Sequence, residues 1–207
     1  MLVLASASPR RRELLTQAGF SFTIHPAHLP EDPLPGEAPI AYVTRLAREK
    51  AETVFRELTT PQSHSSPDLD PPGNTLIVLG ADTTVTVDDL ILAKPEDHAD
   101  AARMLRQLSG RTHHVITGVA VVASQSTQVA AEVTAVRFLS LSDAEIESYV
   151  ATGEPMDKAG AYAIQGRAAR WIPRIQGCYF NVVGLPLALV TALLEPLQAS
   201  PLQNAQP

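Results

Sequence analysis

The stretch LASASPRRRELL, Leu4–Leu15, sets two serines, a proline and three consecutive arginines ahead of an apolar pair. Ser8 can cap a helix whose first position is Pro9, where the missing N–H costs nothing. The first turn of a helix offers unpaired N–H groups and a positive dipole end. Ser6, Ser8, Arg10 and Arg11 added there make an anion site, since arginine grips a phosphate with two parallel bonds. The competing reading is a capped surface helix with solvated arginines, because helix starts usually carry acids. Arg12, turned by about 100° per residue from its neighbours, is expected to face solvent.

Three further stretches carry chemistry. In the helix expected over Ile40–Leu58, the apolar stripe runs Val43, Leu46, Ala47, Ala51, Val54, Phe55, Leu58, and Lys50 falls inside it. An inward cation needs a partner or must snorkel to water; its functional reading is a phosphate contact in a cleft. GADTTV, Gly80–Val85, follows an apolar run, and a carboxylate at the end of a buried strand sits where sheets present their chemistry. Asp82 can bind a metal or act as a general base, Thr83 and Thr84 add hydroxyls, and Lys94-Pro95 brings another cation after the next hairpin. GEPMDKAGAYAIQG, Gly153–Gly166, sets Glu154, Asp157, Lys158 and Gln165 among small residues; glycines let backbone approach a ligand, and a plain loop is the alternative.

The elements that must position these groups are mixed. Strands are expected at Leu2–Ala5, Ser21–His25 and Leu76–Leu79, with a hairpin of Val85–Val87 and Leu90–Leu92 around Asp88-Asp89. Two long antiparallel strands follow at Val115–Ala123 and Val129–Leu139. Helices are expected from Pro9 to Gly19, over Ile40–Leu58, over Glu96–Leu108, after the Ser142/Glu145 capping-box pair, and over Leu185–Leu194. Glu154–Gly184 reads as loop. This makes an α/β (α+β) chain with a mixed sheet. The polar, proline-rich residues 59–75 read as a mobile insertion and 197–207 as a disordered tail, leaving one domain over 1–196.

Bulk properties bound the function. The 207 residues carry a net charge of −6, which argues against general nucleic-acid binding and makes any positive site local. No run of about 18 apolar residues exists, so no membrane span is expected. Met1–Ala5 has neither a charged n-region nor a long apolar h-region, so no secretory signal is expected and a cytoplasmic protein is the simplest reading. The single cysteine, Cys178, excludes an internal disulfide and a cysteine zinc site. The six histidines show no ligand spacing, and His113 and His114, adjacent on a strand, point to opposite faces.

In order and spacing, these motifs resemble the Maf-type nucleoside triphosphate pyrophosphatases. The resemblance rests on SASPRR at Ser6–Arg11, Glu31, RLAREKA at Arg45–Ala51, GADTTV, Lys94-Pro95, LSGRTHHVITGV at Leu108–Val119, DKAGAYAIQG at Asp157–Gly166 and NVVGLPL at Asn181–Leu187. It implies a mixed twisted sheet flanked by helices, two lobes and a deep cleft. It implies hydrolysis of a nucleoside triphosphate to monophosphate and pyrophosphate with a divalent cation: magnesium, with manganese and cobalt as alternatives. Family members are also linked to septum formation and to house-cleaning of non-standard nucleotides. On this resemblance Asp82 is the proton acceptor, and Glu31, Lys50 and Lys94 complete the catalytic set. Ser6, Ser8, Arg10, Arg11, Thr83, Asp157, Lys158 and Gln165 bind substrate, and Glu31, Asp82 and Asp157 hold the metal. Several cations suit a triphosphate, which carries about four negative charges. DKAGAY-IQG matches the dTTP/UTP branch, whose discriminating positions fall on Arg10, Thr83 and Gln165; a buried Gln165 amide would suit the carbonyl, N–H, carbonyl edge of uracil or thymine. Cys178 departs from the family's serine. Another base specificity, such as 7-methyl-GTP, or a nucleotide-binding regulator of cell division with low turnover, stays open, as does a homodimer.

Overall fold

The computed structural model describes residues 1–60, 75–88 and 90–198. Its sheet has seven strands: β1 (Leu2–Leu4), β2 (Thr23–Ile24), β3 (Ile77–Val87), β4 (Leu90–Leu92), β5 (Thr112–Ala123), β6 (Ser126–Arg137) and β7 (Arg174–Gln176). They run in the order β2-β1-β3-β5-β6-β7, with β4 also on β3. β1 pairs in parallel with β2 and β3. Every other pairing is antiparallel, so the sheet is mixed, as expected.

β3 corrects the sequence reading. The two runs Leu76–Leu79 and Val85–Val87 are one eleven-residue strand, and GADTTV is its middle, not a loop at its end. Its full length pairs with β5, from Ile77↔Ala123 to Thr86↔His114. On the opposite edge, β1 covers only Ile77–Leu79 and β4 covers only Val85–Val87. Residues 80–84 therefore line a gap in that edge.

α1 (Pro9–Gln17) starts as predicted, with the Ser8 side chain accepting from the Arg11 N–H. α2 (Pro39–Thr59) lies across one face of the sheet, burying Tyr42, Val43, Leu46, Ala47, Lys50, Ala51 and Val54. Two glycines let it lie close. A Cβ on Gly80 would stand 2.1 Å from the Ala47 carbonyl oxygen, and one on Gly118 would stand 2.3 Å from that of Val43. Gly118 is the β5 partner of Asp82, so this close approach sets Lys50 of α2 over Asp82 of β3.

The other face packs against α1, α5 (Tyr179–Val183) and α6 (Leu187–Gln198) at one end. At the other end it packs against α3 (His98–Leu108) and α4 (Asp143–Val150). The Ser142/Glu145 capping box forms, and Glu145 also accepts from Trp171 Nε1. β7 and α5 arise inside the stretch read as loop, and α6 runs past Pro196 to Gln198. Thr59, assigned to the insertion, is the last residue of α2; the rest of that expectation over 61–74, and the tail over 199–207, fall outside the described residues. Among the described residues, no helix is long and apolar enough to cross a membrane.

Candidate active site

A cavity of about 510 Å³ opens at the gap in β3. Its lining includes all twelve residues that the resemblance assigns to the site: Ser6, Ser8, Arg10, Arg11, Glu31, Lys50, Asp82, Thr83, Lys94, Asp157, Lys158 and Gln165. Alternation along β3 divides it. Asp82 and Thr84 point to the α2 side, with Glu31, Tyr42 and Lys50. Thr83 and Val85 point to the other side, with Val115, Tyr162, Ile164 and Val182. One half is charged and the other largely apolar.

The charged half is built around Lys50, 7% exposed. Its ammonium donates to Asp82 Oδ1 at 2.6 Å and meets Glu31 Oε1 at 2.5 Å. It therefore neither snorkels nor stands free, but sits between two carboxylates. Burial pushes the Asp82 carboxyl above the usual range, against the pull of Lys50 and Arg11. For Glu31 burial also acts upward, but the Lys50 hydrogen bond and charge, with Lys94 and Arg11 behind them, outweigh it and hold the group below the usual range. Lys94, 4.0 Å from Glu31 Oε2, is well exposed.

Glu31 sits on a proline-rich loop with no secondary structure, and α2 pins that loop. Tyr42 Oη donates to the Glu31 carbonyl at 2.7 Å. Arg45 donates through Nε and Nη2 to both oxygens of Glu37, at 2.7 and 2.8 Å, and reaches the Asp32 carbonyl at 3.1 Å. The Arg45 hydrogen bond, against a smaller upward push from burial, holds Glu37 down at about 2.

The arginines differ in role. Arg12 is exposed, as expected. Arg11 spends four N–H bonds on the protein: Nε to the Gly184 carbonyl, Nη1 to Ser6 Oγ and the Ala81 carbonyl, and Nη2 to Thr83 Oγ1. One Nη2 hydrogen remains for a ligand. Arg11 thus ties the unpaired edge of β3 to the start of α1 and the end of α5. Ser6 Oγ accepts from both Arg11 and the Ser8 N–H at 3.2 Å, which leaves its own proton to donate into the cavity.

Arg10 lies 3.7 Å from Asp157, which also pairs with the neighbouring Lys158 ammonium. Burial pushes the Asp157 carboxyl up, but Lys158 and Arg10 together hold it below the usual range. Asp157 is thus tied to cations of its own, apart from the Glu31–Lys50–Asp82 cluster. Among the described residues, no group of three or more His, Cys, Asp or Glu is gathered as a metal site.

Gln165 is carried by a turn wrapped around Glu154, whose carboxylate accepts from Tyr149 Oη at 2.8 Å and from the Arg167 N–H. Gly166 permits this, since a Cβ there would stand 1.9 Å from Glu154 Oε1. The amide expected to be buried is exposed, and it makes no hydrogen bond to another described residue.

Sequence reasoning gave no site role to three contributors, Arg45, Tyr42 and Tyr162, and named Thr84 only as a hydroxyl beside Asp82. Arg45 and Tyr42 position Glu31; only their place in and beside RLAREKA hinted at it. Thr84 Oγ1 lines the cavity and is buried without a partner among the described residues. Tyr162 walls the apolar half, its hydroxyl 2.8 Å from Nε2 of the fully buried His113. Burial, with His114 adding to it, lowers His113 to about 3, so the ring is neutral there.

The family model for Maf-like protein matches residues 1–197. The dTTP/UTP pyrophosphatase of Koribacter versatilis is 49% identical over 194 residues, 94% of this chain and 93% of the relative. The proteins of the same description from Pelotomaculum thermopropionicum and Geobacter sulfurreducens are each 50% identical, covering 94% and 96% of this chain and 95% and 97% of theirs. With a family match over nearly its whole length and relatives at half identity, the chain belongs to the Maf family.

Proposed function

We propose that this protein hydrolyses dTTP and UTP to the nucleoside monophosphate and pyrophosphate. The names of the relatives support the reaction. The observation that carries it is the buried Asp82 carboxylate, held by Lys50 beside a serine–arginine anion cradle. The triphosphate lies over Ser6, Ser8, Arg10 and Lys94, with the last Arg11 N–H aimed at it, and the base enters the apolar half beside Thr83 and Gln165.

Asp82 accepts a proton from a water, whose oxygen bonds to phosphorus as the bridging P–O bond between the α and β phosphates breaks. The proton rests on an Asp82 carboxylate oxygen and pyrophosphate leaves. Lys50 favours the ionised form of Asp82 against the upward push of its burial. Two carboxylates converging on one cation suit a hard divalent ion such as magnesium, which would be held by Glu31 and Asp82 and would supply charge neutralisation at the phosphates. Asp157, paired with Arg10 and Lys158, orients the cradle instead. A nucleotide substrate fits a cytoplasmic location, and the two clusters of buried apolar residues toward the two ends of the sheet fit a two-lobed molecule.

The test is a panel of nucleoside triphosphates with magnesium, scored for pyrophosphate and for single phosphate. dTTP and UTP should be the best substrates and release pyrophosphate. Nucleoside diphosphate with single phosphate would overturn the reaction. Preference for 7-methyl-GTP, or none, would overturn the base assignment alone.

A further inference from the structure

A chain of hydroxyls runs from the cavity into the sheet. Thr83 Oγ1, in the apolar half, lies 2.9 Å from Thr117 Oγ1 on β5. Thr117, fully buried, donates to the Asn181 carbonyl at 3.2 Å. Asn181, also fully buried, is itself fixed: its Nδ2 donates to the Val115 carbonyl at 2.9 Å and to Thr134 Oγ1 at 3.0 Å. At the near end, Arg11 Nη2 donates to Thr83 Oγ1 at 3.0 Å.

A hydroxyl has one proton and two lone pairs. Sterically the Thr83–Thr117 contact can run in either sense; when the Thr117 proton goes to Asn181 at 3.2 Å, Thr117 accepts from Thr83, and the single Thr83 proton points away from the cavity. The competing sense, with Thr83 donating to the Gly184 carbonyl, needs the longer 3.4 Å contact. Both carbonyls already accept one backbone or side-chain N–H, that of Gly184 from Arg11 Nε and that of Asn181 from the Gly184 amide, so distance is what favours the first sense. One Thr83 lone pair is taken by Arg11. What remains for a ligand is one lone pair: Thr83 is an acceptor only.

We infer that Thr117 and Asn181 are specificity-positioning residues, which fix Thr83 as an acceptor and so select a base with an N–H at that place over one with a bare ring nitrogen. Uracil and thymine carry such an N–H between two carbonyls; cytosine presents a lone pair there, and two facing acceptors leave both unsatisfied. The inference rests on the pyrimidine reading above. It assigns discrimination to a half-buried hydroxyl of fixed polarity rather than to the exposed Gln165 amide, which can turn to present either a donor or an acceptor.

The experiment compares kcat/KM for dTTP and dCTP in the wild type, Thr117→Val and Thr117→Ser. Valine keeps the shape and removes the acceptor, so the Thr83 proton is no longer held away from the cavity and has only the longer Gly184 contact to compete with a ligand. The dTTP-to-dCTP ratio should fall about 10-fold or more, with dCTP turnover rising, and serine should restore it. Thr117→Ala gives the same readout with different packing if the valine variant is unstable. Equal losses for both nucleotides, or an unchanged ratio, would overturn the inference and leave Thr117 a core residue. A wild type that prefers neither base would overturn the pyrimidine reading itself, and this inference with it.

Discussion

Asp82 and Lys50 set the pH response. Asp82 is raised by burial and restrained by Lys50 and Arg11, and as a base it must be ionised. Activity should therefore be lost as pH falls through a value above the ordinary carboxylate range. Lys50→Met removes the restraint and should move that acid limb to higher pH, which a kcat/KM profile reads directly; a limb that stays or moves down would show that another group sets it. Asp82→Asn keeps the shape and should lower kcat by about 10²–10⁴-fold. Binding of dTTP should survive in part, since the arginines and Lys94 remain. Near-normal turnover would place the base elsewhere, with Glu31 next to test.

Elements decide where these residues sit. Because α2 touches the backbone of β3 and β5 through Gly80 and Gly118, Gly118→Ala should lift the helix from Asp82. Overpacking of this kind costs about 1–3 kcal/mol, so both the melting temperature and kcat should drop. Arg45→Ala should separate the two: it frees the loop carrying Glu31 and should lower kcat by up to about 10²-fold with little change in melting temperature. That anchoring resists acid, since Glu37 is held at about 2; its contribution is present above the ordinary value of 4.5 and lost only as pH falls through about 2. The elements were legible where a pattern was local: the Ser8 and Ser142 caps, the α2 stripe with its inward lysine, the long hairpin of β5 and β6. Asp82 was found for a partly mistaken reason, as the end of a strand, because GADTT lacks the apolar run that marks a buried strand. The structure keeps it in β3 since one edge pairs throughout with β5. The polar chain through Thr117 and Asn181 was not legible, because it joins residues 83, 117 and 181 only once strands and α5 are packed.

Across the molecule, a chain of net charge −6 places all three of its lysines, with Arg10 and Arg11, at one cavity. Lys50 already bridges the paired carboxylates, so the fold should not depend on a divalent ion. A chelator should abolish turnover yet leave the melting temperature unchanged; a large drop would mean that a metal is structural. Nucleotide should act the other way. At 100 times its Kd, dTTP on a chelated Asp82→Asn protein adds about 2.7 kcal/mol, roughly 5–10 °C at this size. The unpaired edge of β3 has one more consequence. The Leu79 and Ala81 carbonyls point to that edge, to Ala5 N and Arg11 respectively, so by alternation the Ala81 and Thr83 amides face the cavity while those of Gly80, Asp82 and Thr84 face β5. Within a single central strand, amide exchange should then be alternately fast and slow at 80–84, against uniform protection in β5.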